Sequence, residues 1–176
     1  MQFKFPLISA LFAISAIATP VPSTQTSCAN VAVSALNGLT SQVADLNSAL
    51  AGKEDPVSLA NAIIAGFASD ILTILTTGLS LPCDATLTHQ NQEDICDAAS
   101  SFIKEDKTLV STLSSKRTVL SDTIWLGAVE GAISGLASAT NGYIYPIIDS
   151  APACGGSIES ELNSLIDAIN EAVGAY

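Results

Sequence analysis

The stretch VSLANAIIAGFASDILTILTTGLSLPC, Val57 to Cys83, carries a single charge in its whole length, Asp70. A second stretch of the same kind, Thr123 to Ile148, holds only Glu130. A surface helix of a globular protein turns a charged face to water, so a helix apolar nearly all round is buried or touches something greasy. Neither stretch reads as a membrane span. Asn61, Asp70, Thr73, Thr76 and Thr77 interrupt the first, and Glu130, Ser134, Thr140, Asn141 and Pro146 the second. The sequence thus predicts more apolar helix surface than a small bundle needs, and such a surplus points to binding rather than catalysis.

Outward from these segments, the pattern stays helical. Ala32, Leu36, Leu39, Val43, Leu46 and Leu50 recur at spacings of three and four, and Gly52 breaks that run. Asp55 as N-cap and Pro56 at the first helical position start the second helix. It carries Ala60, Ile64, Phe67, Ile71 and Ile74 on one face, with Gly78 as C-cap and Pro82 as terminator. A polar loop from Asp84 to Gln92 leads to a third helix over about Asn91 to Lys116, in which Lys104, Glu105, Asp106 and Lys107 are expected to face water. Ser121-Asp122 restarts the pattern for a fourth helix, separate from the third or continuous with it as one kinked rod, which Pro146 kinks or ends. Ser157 caps the last helix, whose seam is Ile158, Leu162, Leu165, Ile169 and Val173. No strand pattern competes. The expected fold is an all-α antiparallel bundle of about five helices.

The first residues predict export. Met1 to Lys4 is a short positive region, Phe5 to Ile17 an apolar core, and Ala16-Ile17-Ala18 a small-x-small cleavage pattern. Residues 1–18 are therefore expected to be a secretory signal peptide, 19–27 a Thr/Ser/Pro-rich linker open to O-linked sugar, and 28–176 a single helical domain. The ending EAVGAY, Glu171 to Tyr176, is no anchor tail, so a free chain is expected, in the medium or at the cell wall.

Charge narrows the partners. Seventeen acidic residues face six basic ones, a net charge of −11 that repels nucleic-acid phosphates and anionic headgroups. Nucleic acid is excluded as a partner class.

Four cysteines in an exported chain predict two disulfides. In an alternating bundle, Cys28, Cys83, Cys96 and Cys154 all gather at one pole. Three connectivities are open; the nested one, Cys83–Cys96 inside Cys28–Cys154, is the favoured expectation, and the opposite pole is left unstapled. A metal site is not expected, since no Cys-x-x-Cys pair exists and His89 is the only histidine.

Catalytic chemistry finds no support. His89 lies among Gln90, Asn91, Glu93 and Asp94 and reads as solvated. No Gly-x-Ser-x-Gly turn exists for a hydrolase nucleophile. Asp70 and Glu130 could be imagined as paired acid and base, but helix charges at the rim or at a packing contact explain them more simply. The expectation is a non-enzyme without cofactors.

One motif wants a reason. Gly127, Gly131 and Gly135 recur every four residues, and each costs about 1 kcal/mol of helix propensity against alanine. Either a neighbouring helix packs closely along the stripe, or the stripe floors a groove for a slender apolar ligand. In the second case Trp125, Ile133 and Leu136 would line the groove beside the stripe, with Ile64, Phe67, Ile71 and Leu75 opposite.

The Ser/Thr/Ala-rich heptads, the central LVSTLSSKRTVL (Leu109–Leu120) and the ending IDAINEAVGAY (Ile166–Tyr176) together resemble the fungal hydrophobic surface-binding protein A family, which includes the antigenic cell-wall mannoproteins. The resemblance is diffuse and spans most of the region after the signal. It implies a helical bundle, no enzymatic activity, and adsorption to hydrophobic surfaces or capture of fatty acids in an apolar central cavity. A secreted effector or inhibitor acting through a protein partner is the alternative expectation.

Overall fold

Helix starts follow the local chemistry. A computed structural model describes residues 28–78, 87–121 and 124–175, and within them lie five helices. They are α1 (Cys28–Ala51), α2 (Pro56–Gly78), α3 (His89–Leu120), α4 (Leu126–Ser150) and α5 (Gly155–Ala175). Asp55 caps α2 as expected, its Oδ2 accepting from the Ser58 N–H at 2.7 Å. Thr88 caps α3, its hydroxyl accepting from the Asn91 N–H at 3.2 Å, so His89 and Gln90 belong to the first helical turn rather than to a loop. There His89 Nδ1 pairs with Glu93 at 3.3 Å on the exposed surface.

The structure decides one open alternative and moves several helix ends. α3 and α4 are separate helices, as one of the two expectations had it, with α3 running past Lys116 to Leu120 and α4 starting at Leu126. α4 passes through Pro146 and ends at Ser150, because a proline removes one backbone donor without preventing the following turn. α5 begins at Gly155, two residues before the expected Ser157 cap. The Ala151 and Cys154 carbonyls already accept from Gly155 and Ser157 at 3.0 Å each and carry the chain from α4 into α5. A Cβ on Gly155 would stand 2.9 Å from the Ile148 carbonyl oxygen, so this turn requires glycine.

The helices close a ring. α1 packs on α3, α3 on α5, α5 on α4, α4 on α2, and α2 back on α1. Ser100 donates to Glu161 at 2.7 Å and Lys107 to Ser164 at 2.8 Å, in the same order along α3 and α5, so these two run parallel. Lys116 meets Glu54 at 2.8 Å, bringing the far end of α3 to the α1–α2 turn. Odd helices run one way and even helices return, as short connections demand. Close approach of α1 and α2 depends on Gly66, where a Cβ would lie 3.0 Å from Leu46 Cγ.

The expected nested disulfides do not form. Cys96 is bonded to Cys154, across 58 residues, which excludes both Cys83–Cys96 and Cys28–Cys154. The bond ties the first turns of α3 to the α4–α5 turn, beside a hydrogen bond of 3.1 Å from the Ala153 N–H to Gln92 Oε1. The expected signal peptide, the expected linker and Cys83 lie outside the described residues.

The core is a continuous apolar mass. Leu36, Leu39, Val43 and Leu50 of α1, Ile63 and Phe67 of α2, and Phe102, Leu109 and Leu113 of α3 are fully buried. Ile133 and Leu136 of α4 join them, with Leu162 and Leu165 of α5.

Candidate functional site

A ring of five helices has a built-in problem at its centre. With neighbours about 8–10 Å apart, the ring axis lies roughly 7–8.5 Å from every helix axis, while a helix with its side chains reaches only about 5–6 Å. α3 also meets α4 and α2 directly, so the ring is flattened, and long side chains fill what remains of its middle. Two fully buried phenylalanines, Phe67 and Phe102, are among its large fillers here.

The residues expected to line a groove divide by depth. Phe67, Ile133 and Leu136 are buried in the core. Ile64, Ile71 and Trp125 are half-buried, and Ile71 and Trp125 pack against it. Leu75 is 58% exposed. Ile71 Cδ1 lies 3.1 Å from where a Gly135 Cβ would stand, so α2 and α4 do meet at this point of the stripe. Gly127 and Gly131 have nothing within 4 Å, so no helix packs along the rest of it. The helix-packing reading of the stripe holds for Gly135 alone; elsewhere the small residues face outward.

α2 carries three of the six large apolar side chains that stand exposed among the described residues. Its Pro56–Thr76 window, mean hydropathy 1.7, is only 33% buried, and by length and composition alone it could cross a membrane. Val57 is 51% exposed, Leu72 57% and Leu75 58%, the last two one turn apart on the same face.

A polar cluster inside the ring escaped the sequence reading. Asp106, expected to face water, is 0% exposed; Asp70 is 3% exposed and Thr140 0%. The Thr140 hydroxyl donates to Asp106 Oδ2 at 3.2 Å. Since α3 neighbours α1 and α5 in the ring, this bond spans its interior. Asp106 Oδ1, Asp70 Oδ2 and the Tyr143 hydroxyl have no hydrogen-bond partner among the described residues. Asp70 therefore pairs in space with Asp106, not with Glu130.

The cause of the cluster's electrostatics is desolvation. Burial pushes the Asp106 carboxyl up to about 8, against the opposing Thr140 hydrogen bond and helped by the negative charges of Asp70 and Glu105. Burial raises Asp70 to about 6 and the Tyr143 phenol to about 12. What the arrangement offers chemically is a pair of buried acids in apolar surroundings, which donate through their O–H groups while protonated and become anionic acceptors once ionised.

A register signal could have found it. Ile95, Ala99, Phe102, Asp106, Leu109 and Leu113 follow one another at alternating spacings of four and three, so Asp106 occupies a core position of α3. Ala60, Ile63, Phe67, Asp70 and Ile74 do the same in α2, and Val129, Ile133, Leu136, Thr140 and Tyr143 in α4. Among the described residues, no group of three or more His, Cys, Asp or Glu could hold a metal ion.

No protein-family model matches the chain, and no curated protein matches it by sequence. The fold does have a counterpart. The crystal structure of AfMP4p, an Aspergillus fumigatus mannoprotein, in complex with palmitic acid superposes with a TM-score of 0.76. The match covers 84% of this chain and 98% of that one, at 15% sequence identity. The two share a fold. The helical architecture implied by the mannoprotein resemblance is present.

Proposed function

We propose that this chain is an exported, non-enzymatic protein that holds a single-chain lipid of the fatty-acid type inside its five-helix ring. The observation that carries this reading is the fold shared with a protein crystallised in complex with palmitic acid. The helix arrangement supports it, because an alkyl chain can take the place of apolar side chains such as Phe67 and Phe102 between the five rods. α2 is the wall that yields: its single charge, Asp70, is buried, and much of its apolar surface is already uncovered. The leader pattern of residues 1–18 and the disulfide support export.

Native mass spectrometry of delipidated protein incubated with palmitic acid tests this. A saturable 1:1 adduct is expected. Absence of any adduct below the micellar concentration would overturn the reading.

The exposure of Leu72 and Leu75 favours a second role for the same helix, adsorption to hydrophobic surfaces at the cell wall or in the medium. Together these two uses describe a protein that collects lipid where water meets an apolar phase.

A further inference from the structure

We propose that the cluster of Asp70, Asp106 and Thr140 is a headgroup site selective for a primary ammonium on a single long alkyl chain. The inference rests on the reading that such a chain enters the ring, and it names the polar end. Two buried carboxyl oxygens, Asp70 Oδ2 and Asp106 Oδ1, lack hydrogen-bond partners among the described residues, and Asp106 is wholly buried with its other oxygen already held by Thr140. Buried polar atoms are normally satisfied, so two neighbouring acids left without partners ask for a donor that also carries positive charge.

The inventory of head groups decides which donor. An ammonium brings three N–H donors and one positive charge, enough to reach both orphaned carboxyl oxygens and to offset the buried acids. A carboxylate brings only acceptors and adds a like charge. An alcohol brings one donor and no charge.

The surroundings supply no competing cation. The charges acting on Asp106 are Asp70 from α2 and Glu105 beside it on α3. From α4 it meets the neutral Thr140. The one charge of α1, Asp45, is exposed, and on α5 Glu161 is engaged by Ser100 while Glu159, Asp167 and Glu171 are exposed. Lys107 is turned to Ser164, and Lys104 is exposed. As pH rises and the two aspartates lose their protons, an ammonium is held more tightly and a carboxylate is expelled.

The experiment measures 1:1 binding of hexadecylamine, palmitic acid and hexadecanol, each below its micellar concentration, at pH 5 and pH 7.5. The proteins are the full chain and its Asp70→Asn and Asp106→Asn variants, with circular dichroism confirming the fold of each. Hexadecylamine should bind at least tenfold more tightly at pH 7.5 than at pH 5, and palmitic acid should show the opposite slope. Either variant should weaken hexadecylamine at pH 7.5 by at least tenfold while changing hexadecanol less than threefold. Parallel pH slopes for the amine and the acid, or variants that leave the amine unchanged, would overturn the headgroup site. If hexadecanol binds in that case, the lipid reading stands without it; if none of the three ligands binds, both fall.

Discussion

Thr140 on α4 donates a hydrogen bond of 3.2 Å to Asp106 on α3, joining two helices that also meet across the ring. This bond puts polar side chains in the apolar middle, and the buried acid it holds makes stability depend on pH. The native carboxyl of Asp106 is raised to about 8 and that of Asp70 to about 6, whereas the unfolded chain titrates near 3.8. Between those values the native state keeps protons that the unfolded state releases, so stability falls as pH rises. The loss comes from both groups between about pH 4 and 6, and from Asp106 alone up to about 8. Asp106→Asn should remove most of this slope. Urea unfolding at pH 4.5 and pH 8 should show the wild type losing a few kcal/mol more than the variant, on the order expected for a buried acid.

The Cys96–Cys154 bond closes a loop of 58 residues, worth about 4 kcal/mol by the chain-entropy model. A Cys96→Ser, Cys154→Ser double variant should unfold at clearly lower urea. Peptide mapping without reductant should recover Cys96 linked to Cys154. Any peptide joining Cys83 to Cys96 would contradict the structure.

Glycines in this chain separate into those that packing needs and those it does not. Gly155→Ala would push a Cβ against the Ile148 carbonyl, and Gly66→Ala would press on Leu46; each should cost about 1–3 kcal/mol. Gly131→Ala meets nothing within 4 Å and should stabilise by up to about 1 kcal/mol through helix propensity. Thermal unfolding of the three variants checks the contrast.

Leu72 and Leu75 stand out in solvent and contribute little to the core. Replacing both with Gln should change stability by no more than about 0.5 kcal/mol per site. Adsorption to a hydrophobic film, followed by quartz microbalance, should drop several-fold. Unchanged adsorption would remove α2 as the contacting face.

The amphipathic spacing of α1 and α5 was plain in the sequence because each helix separates its apolar seam from a polar face. Asp55-Pro56 likewise announced the start of α2. Asp106 was hidden for a physical reason: it sits in the run Lys104-Glu105-Asp106-Lys107, whose local charge suggests water, and only the longer register of α3 assigns it inward. Disulfide pairing was equally hidden, since helix order only predicts that the cysteines share a pole and leaves the choice of partner to the distances between helix ends. The Gly127–Gly131–Gly135 stripe showed that something unusual happens on α4, yet spacing alone could not tell an open face from a packed one.

Hydrogen–deuterium exchange with and without palmitic acid at pH 5 tests most directly whether lipid occupies the ring. The account predicts altered exchange concentrated in the backbone of α2 and α4 around Phe67 and Ile133, with the disulfide-tied start of α3 unchanged. Identical exchange in the two states, or changes confined to α1 and α5 with α2 and α4 unaltered, would contradict it.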